Sequence, residues 1–451
     1  MKPGNYQETL RFLYSFLPKT NMEKFPGEYG LRRTRHLLQE LGNPQESLRV
    51  IHIAGTSGKG STAVITERLL REHGKRTGLH VKPHLLDVRE RFQIDGKLIT
   101  ESQFVSAVNS MLPAIERTNS RGWGLLTYFE VLISLAYSIF EKMKVDYAVI
   151  ETGVGGLFDG SNTVENPDKI AVITTIGYDH VPLLGNTLQE IAAQKAGIIR
   201  PGNRVFVLKQ PLLESIFDKA AEHAVARIEY VEPEKVLNEY DQGRYRVEVE
   251  DILIDNVTLG LKGAYQRDNA AMALSAVTYA AKRDGFSLKP DLIKRALSGV
   301  RYRGRYDCIT YAGKKLILDG AHNTQKIQSF LSSITEAAHG KKWAFILAFK
   351  QGKEIGSMLE LIIPYASEII VTDFFDNQAD FVNISADPHE VASSLDRLGF
   401  RNYRTVYSAA KSLDLVLAGI SSPEVICTGS LYFLADVYSF LTGQKKVDSI
   451  R

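Results

Sequence analysis

A glycine-rich segment near the amino terminus restricts this chain more than any other feature. Residues 51 to 62 read IHIAGTSGKGST, an apolar run followed by a turn with three glycines and then by a helical pattern. Glycines let successive main-chain N–H groups point to one side, and a helix that begins there adds partial positive charge. Lys59 supplies a full charge, and Ser61 or Thr62 a hydroxyl for Mg²⁺. The segment therefore predicts a strand, a phosphate-binding turn and a helix.

The turn differs from the common phosphate-binding pattern GxxxxGK[ST]. Ile53 stands where that pattern has its first glycine, and Gly60 rather than a hydroxyl residue follows Lys59. The strand, the glycines, the lysine and the hydroxyls nevertheless occur in the order that phosphate binding requires. We assign nucleotide binding to Gly55, Thr56, Ser57, Gly58, Lys59, Gly60, Ser61 and Thr62.

Short apolar runs alternate with longer helical patterns along most of the chain, which indicates an α/β fold with parallel strands. The predicted strands are residues 50–54, 146–151, 170–176, 315–319, 344–349, 368–373 and 424–428. The predicted helices are residues 61–73, 128–142, 187–196, 269–284 and 290–297. Alternating apolar and polar residues within 227–257 predict a small antiparallel sheet.

The length of 451 residues is too great for one ordinary core. A second α/β pattern begins near residue 301, after a short Gly/Arg-rich stretch at 298–305. We therefore predict two domains, residues 1–300 with the phosphate-binding turn and residues 301–451.

Composition and charge exclude several classes of protein. The net charge is only +3 and no long Lys/Arg block occurs, which argues against nucleic acid as a partner. No apolar run approaches the roughly 20 residues that span a bilayer. The amino terminus lacks the order of a signal peptide and reads as an amphipathic helix. Cys308 and Cys427 are far apart and outside any CxxC pair, which favours a reducing cytoplasm over a disulfide scaffold or a zinc site.

Several further motifs follow the turn in a fixed order. They are PHL at 83–85, TYFE at 127–130, IETGVGGLFDGSN at 150–162, QKAGII at 194–199, DGAHN at 319–323 and GSLY at 429–432. Together with the turn, they resemble the folylpolyglutamate synthase/dihydrofolate synthase family, a branch of the Mur ligase superfamily, over nearly the whole chain. The resemblance implies a P-loop-like Mur ligase central domain and a smaller Rossmann-like carboxy-terminal domain.

The resemblance also implies a reaction. Such an enzyme uses ATP to convert a folate or dihydropteroate carboxylate into an acyl phosphate, which the amine of L-glutamate then attacks. The nucleotide, the carboxylate and the acyl phosphate are all anionic, so the site needs cations and metal ions, here two Mg²⁺. We expect a cytoplasmic monomer whose partners are these small molecules, with no nucleic acid and no membrane.

The resemblance assigns roles to individual residues. Metal ligands would be Ser61, Glu151 and His180. Catalytic residues would be Lys59, Lys195 and His322, and Lys195 could carry a carbamate instead of a free ammonium. Nucleotide contacts beyond the turn would come from Asn269, Arg305 and Asp319, although Arg305 could instead hold a substrate carboxylate. Substrate contacts would come from Lys82, Phe129, Asp159, His322 and Ser430, although Phe129 could instead belong to the core.

Two departures from the family pattern concern the substrate, and a third concerns contacts in the second domain. Lys82 replaces a serine that ligates Mg²⁺ in the usual form, and an ammonium cannot ligate a cation. Lys82 either replaces the charge of one metal ion, or points away from the site, or accompanies a change of substrate. Leu157 replaces an arginine, and FKQGK at 349–353 replaces an acidic stretch. A divergent Mur-type ligase acting on a non-folate carboxylate therefore remains an alternative. A non-catalytic nucleotide-binding protein is less favoured, because binding alone does not require the metal-ligand residues.

Overall fold

Strands and helices alternate along the computed structural model, which describes residues 2–18, 26–241, 243–336, 340–374 and 384–443. The strands are β1 (Val50–Ala54), β2 (Thr77–His80), β3 (Gln93–Ile94), β4 (Lys97–Leu98), β5 (Tyr147–Glu151), β6 (Ile170–Ile173), β7 (Arg204–Leu208), β8 (Arg227–Val231), β9 (Leu237–Asp241), β10 (Arg244–Val249), β11 (Ile252–Thr258), β12 (Asp307–Tyr311), β13 (Lys314–Leu318), β14 (Trp343–Leu347), β15 (Ala366–Val371), β16 (Tyr403–Thr405) and β17 (Glu424–Thr428). The α-helices are α1 (Tyr6–Tyr14), α2 (Glu28–Glu40), α3 (Lys59–Glu72), α4 (Glu101–Asn119), α5 (Tyr128–Lys142), α6 (Val181–Leu184), α7 (Leu188–Ala196), α8 (Glu214–His223), α9 (Pro233–Val236), α10 (Tyr265–Asp284), α11 (Pro290–Gly299), α12 (Thr324–Glu336), α13 (Ile355–Ile362), α14 (Pro388–Arg397), α15 (Leu413–Ala418) and α16 (Leu431–Thr442).

The chain divides into two units. Among the described residues, the first unit comprises those within 1–84, 89–260 and 266–300, and the second those within 85–88, 261–265 and 301–451. No helix in the described ranges is both long enough and apolar enough to cross a bilayer.

β1 lies inside the large sheet of the first unit, between β5 and β6, and pairs in parallel with both. The strand order is β4-β3-β2-β5-β1-β6-β7-β8, and a separate three-stranded sheet has the order β11-β10-β9. All residues of β1, β5 and β6 are buried, as expected for strands in the middle of a parallel sheet. Because parallel strands end at the same edge, the residues that follow these three strands are brought together there.

Local sequence signals explain most of these boundaries. The predicted strand 50–54 and the predicted helix 128–142 are confirmed with the same bounds. α5 and α7 each begin with a capping box, Thr127 with Glu130 and Thr187 with Glu190. The predicted antiparallel sheet at 227–257 is wrong for its first strand, because β8 pairs in parallel with β7. The alternation in β8 instead reflects partial exposure at the edge of the large sheet.

The second unit has one mostly parallel sheet with the order β12-β13-β17-β14-β15-β16. Successive residues of β17 pack on opposite faces: Val425 and Cys427 join one buried cluster with α15 and α16, and Ile426 joins another with α12, α13 and α14. Burial raises the pKa of the Cys427 thiol to about 12. Helices on both faces of a parallel sheet give a Rossmann-like arrangement.

Candidate active site

The turn after β1 requires glycine at two positions. Gly55 and Gly58 have φ angles of 147° and 91°, a backbone region that L-residues rarely adopt. A side chain on Gly55 would overlap the hydroxyl of Thr174, and one on Gly58 would overlap the amide oxygen of Asn269. The glycines therefore allow a close approach between the turn, the segment after β6 and helix α10.

Main-chain and hydroxyl groups fix the shape of the turn. The N–H groups of Thr56 and Ser57 donate to the carbonyl of Thr175, at 2.8 and 3.3 Å. The Thr56 hydroxyl donates to the carbonyl of Gly177 at 2.9 Å and accepts from its N–H at 3.1 Å. The buried hydroxyl of Ser57 has no hydrogen-bond partner among the described residues. An unsatisfied buried hydroxyl indicates a position for a polar ligand.

Two lysines direct their ammonium groups to this turn. Lys59 Nζ donates to the carbonyls of Gly55 and Thr56, at 2.9 and 3.3 Å. Lys195 Nζ, from helix α7, donates to the same Gly55 carbonyl at 3.0 Å, although the residue is only 3% exposed. Two cations on one carbonyl create a strongly positive potential at the turn, which favours an anionic ligand.

A buried carboxylate and a buried hydroxyl lie at the edge of the sheet where β1 and β5 end. Glu151 is the last residue of β5, is 5% exposed, and accepts a hydrogen bond from the N–H of Lys82 at 3.0 Å. Ser61 is buried in the first turn of α3. No Lys, Arg or His of the described residues forms an ion pair with Glu151. Oxygen ligands of this kind suit Mg²⁺, although the described residues contain no group of three or more His, Cys, Asp or Glu side chains placed to hold a metal ion.

His180, the third predicted metal ligand, precedes the short helix α6. Its backbone is left-handed, with φ at 51°. Its Nε2 lies 4.0 Å from an oxygen of Asp179, and its side chain is 40% exposed. This position follows β6, at the same edge of the sheet as the phosphate turn.

The glycine-rich segment at 153–162 holds Asp159 by its own main chain. One carboxylate oxygen accepts from the N–H of Val154 at 2.7 Å, and the other accepts from the N–H and hydroxyl of Ser161 at 3.0 and 2.5 Å. Any substrate contact that Asp159 makes is additional to this structural role.

His52, in the middle of β1, continues this hydrogen-bond network and was not singled out from the sequence. Its Nε2 lies 2.8 Å from the hydroxyl of Ser161 and 3.0 Å from that of Thr152. Burial lowers the pKa of His52 well below its usual value, and the charges of Lys169 and Arg200 lower it further. The imidazole is therefore neutral. A lone polar residue in the apolar run VIHIA is the sequence signal that could have revealed it.

The same glycine-rich segment is attached to the helix that carries Lys195. The N–H of Leu157 donates to the carbonyl of Gln194 at 2.7 Å, and the Asn162 amide donates to the carbonyl of Gly197 at 2.8 Å. A side chain on Gly156 would lie 2.7 Å from the Gln194 oxygen. Leu157 itself packs on Gly197, so the residue that replaces the family's arginine covers the end of α7.

Phe129 and Lys82 lie side by side near this segment. Phe129 is half-buried, whereas its neighbours Tyr128 and Glu130 on α5 are buried. The ammonium of Lys82 lies 5.9 Å from the centre of the Phe129 ring. A side chain on Gly153 would come within 2.6 Å of Phe129 and 2.5 Å of the Asp159 carboxylate. Three predicted substrate residues are therefore brought together.

Asn269 lies against the phosphate turn. Its amide nitrogen donates to Gln266 at 2.8 Å, and its oxygen accepts from the Thr62 hydroxyl at 3.4 Å. The amide nitrogen of Gln266 is buried without a partner in the described part of the chain. This amide pair provides polar groups beside the turn.

In the second unit, Asp319 organises the start of the DGAHN motif. Its carboxylate accepts from the N–H groups of Tyr306 and Ala321, at 2.8 and 2.9 Å, and from the hydroxyl of Tyr265 at 3.3 Å. Burial raises the pKa of Asp319, and the charge of Arg305 opposes that rise. Tyr265 was not singled out from the sequence.

Three other predicted residues of the second unit occupy definite positions. His322 Nδ1 lies 2.7 Å from the Gly320 carbonyl, and its Nε2 lies 3.1 Å from the ammonium of Lys326, so Nδ1 carries the proton. Ser430 caps helix α16, and its hydroxyl accepts from the Tyr432 N–H at 3.1 Å. The Arg305 guanidinium lies 5.8 Å from the Tyr302 ring.

The phosphate turn at the edge of a parallel sheet, with a separate Rossmann-like unit, defines a ligase of the Mur type that binds ATP. The family model "Mur ligase middle domain" matches residues 124–277, and the model "Dihydrofolate synthetase, C-terminal domain" matches residues 304–440. The chain belongs to the folylpolyglutamate synthase/dihydrofolate synthase family, and is an ATP-dependent acid–amino-acid ligase.

Individual relatives match over nearly their whole length. The chain is 28% identical to the dihydrofolate synthase/folylpolyglutamate synthase of Bacillus subtilis, over 92% of this chain and 95% of the relative. It is 29% identical to the folylpolyglutamate synthase of Lacticaseibacillus casei, over 98% of this chain and 100% of the relative. The structure of the Mycobacterium tuberculosis folylpolyglutamate synthase complexed with ADP aligns with a TM-score of 0.83 at 26% identity, over 98% and 100% of the two chains.

Proposed function

We propose that the protein joins L-glutamate to the carboxylate of dihydropteroate or of a reduced folate, through an acyl phosphate. A carboxylate oxygen of the acceptor attacks the γ-phosphorus of ATP, and the bond to ADP breaks. The amine of glutamate then attacks the acyl carbon. The amide forms, phosphate leaves with its bridging oxygen, and the amine loses its proton.

The convergence of Lys59 and Lys195 on the Gly55 carbonyl is the observation that carries this proposal. Both ammonium groups lie where the triphosphate would meet the start of α3. They stabilise the charge that develops as the γ-phosphoryl group transfers, in a partly buried site where such stabilisation is large. In the first unit, Asn269 and the Ser57 hydroxyl, which has no hydrogen-bond partner among the described residues, would add polar contacts to the nucleotide.

Glu151, Ser61 and His180 would hold Mg²⁺. The buried Glu151 carboxylate has one main-chain partner and lacks a cationic one in the described residues, which fits a metal ligand. When bound, Mg²⁺ neutralises charge on the phosphate oxygens. These residues would hold the ion after the ends of the neighbouring strands, beside the turn.

The acceptor would lie on Phe129. A half-buried ring beside Lys82 and the Asp159 segment offers a stacking surface for a pterin or aminobenzoyl group. Asp159 then positions the segment around that surface, while the neutral His52 holds Ser161.

Residues 301–451 would form the glutamate ligase domain, and residues 1–300 the ATP-binding domain. In the second unit, Arg305 and Asp319 would bind the nucleotide, and His322 and Ser430 the glutamate. Arg305 supplies the charge that an anionic group requires. We further propose a cytoplasmic monomer.

A divergent ligase acting on another carboxylate is the second candidate. Leu157, which packs on Gly197 where relatives carry an arginine, and the ammonium of Lys82 favour it. The two candidate functions differ only in the chemical class of the acceptor. The ligation chemistry is the same in both.

Phosphate release tests the proposal. The protein, ATP, Mg²⁺ and glutamate are combined with dihydropteroate, with tetrahydrofolate or with no acceptor. We expect release that requires both glutamate and one of the pterins, with a product one glutamyl residue heavier by mass spectrometry. Release without a pterin, or none with either pterin from protein that binds ATP, would exclude folate as the substrate.

A further inference from the structure

Lys82 occupies a position between two functional groups of the first unit. Its main-chain N–H donates to the Glu151 carboxylate at 3.0 Å, whereas its ammonium lies 5.9 Å from the centre of the Phe129 ring. The backbone of Lys82 thus contacts the expected metal ligand, and its side chain extends to the expected acceptor surface.

The ammonium lacks an anionic partner. Lys82 is half-buried, and in the part of the chain that the structure describes no carboxylate forms an ion pair with it. The Phe129 ring is close to the limit of about 6 Å for a cation–π contact, so it compensates the charge only weakly. Lysine is rarely buried without a counter-charge. The site is therefore complementary to an anion.

Geometry limits which anion this is. The anion must lie beside an aromatic surface, on a residue whose main chain contacts Glu151, the expected metal ligand. We propose that Lys82 binds the carboxylate of the acceptor that becomes phosphorylated. This inference rests on the proposed function and adds the residue that recognises the reacting group.

The ammonium would orient this carboxylate without exchanging a proton. It holds one oxygen through a charge-assisted hydrogen bond, and the other oxygen attacks phosphorus as ADP leaves. A serine at this position, as in the family pattern, cannot supply that charge. An acceptor with a free carboxylate should therefore bind more tightly than a neutral analogue, even when no reaction occurs.

Binding of pteroate and of its neutral carboxamide, measured calorimetrically with AMPPCP and Mg²⁺ present, tests the proposal. Wild-type protein should bind the acid about tenfold more tightly than the amide or better, as expected for a charge-assisted hydrogen bond. Lys82→Met should bind the two compounds alike, and Lys82→Arg should recover most of the preference for the acid.

Lys75→Met is the matched control. The Lys75 ammonium also lies over a phenylalanine ring, at 4.2 Å from the centre of Phe286. This variant should keep the wild-type preference. An equal preference for the acid in wild type and Lys82→Met would overturn the inference. Failure of wild-type protein to bind either pteroate compound would instead contradict the proposed function for dihydropteroate as the acceptor.

Discussion

The ammonium of Lys195 donates a hydrogen bond to the main-chain carbonyl of Gly55, at 3.0 Å. Two residues that are 140 positions apart in sequence are thus in contact, and the ammonium of Lys195 on helix α7 lies at the turn after β1. The same helix end is attached to the segment that holds Asp159. The position of Lys195 is therefore coupled both to the glycine-rich turn after β1 and to the segment around Asp159.

Lys195→Met should reduce phosphate release at least about 100-fold, because a cation that stabilises the developing charge is lost. Methionine has a similar length and is well tolerated in buried positions. Steady-state kinetics will measure the loss, and thermal unfolding will show that the fold persists. Lys209→Met is the control, because Lys209 pairs with Glu232 at 3.2 Å in an exposed salt bridge. Equal rates in the two variants would remove the role assigned to Lys195.

Gly58→Ala should abolish nucleotide binding, because the added methyl group would overlap the Asn269 oxygen. Gly74→Ala provides the control: Gly74 also has a positive φ, 75°, but no atom lies within 4 Å of the added methyl group. Fluorescent-nucleotide titration of both variants separates the overlap from backbone strain. Normal binding by Gly58→Ala would show that the turn can shift without loss.

Glu151→Gln should raise the half-saturating Mg²⁺ concentration at least about tenfold, as the loss of a residue that holds or orients a metal typically does. The amide oxygen can still accept from the Lys82 N–H, so the local structure is preserved. Titration of activity and Mn²⁺ binding by electron paramagnetic resonance will measure the change. An unchanged metal requirement would rule out Glu151 as a ligand.

Phe129→Ala should raise the KM for the pterin acceptor about tenfold while leaving the KM for ATP unchanged, because base-like rings gain about 1–3 kcal/mol from stacking. Phe129→Trp retains the stacking surface and should stay near wild type. If Phe129 belongs only to the core, both KM values will remain constant and stability alone will fall.

His52 should make stability depend on pH. Its folded-state pKa is lowered, so the unfolded state binds more protons below the ordinary value near 6.5. The stabilising contribution is therefore present above that value and is lost as the pH falls. Urea unfolding at several values between about pH 7.5 and about pH 5 gives the slope of the free energy of unfolding against pH. This slope should be smaller in His52→Gln than in wild type, by up to about 1.4 kcal/mol per pH unit. Parallel slopes would show that His52 does not contribute.

Local patterns in the sequence predicted the elements around the site because each depends on neighbouring residues. The turn at 55–62, the capping box of α7 and the strand bounds of β1 all follow from contiguous signals. The contacts of Lys195 with Gly55 and of His52 with Ser161 span 140 and 109 positions, and only the order of the strands brings them together. The grouping of residues 85–88 and 261–265 with the second unit was likewise not predicted, because no contiguous pattern in either segment indicates it.

Transfer of ¹⁸O from a labelled acceptor to phosphate distinguishes ligation through an acyl phosphate from any other route. Dihydropteroate labelled in its carboxylate is converted with ATP, Mg²⁺ and glutamate, and the released phosphate is analysed by mass spectrometry. An acyl phosphate requires that one labelled oxygen appear in phosphate for each amide bond formed. Unlabelled phosphate, with an amide formed, would contradict the account.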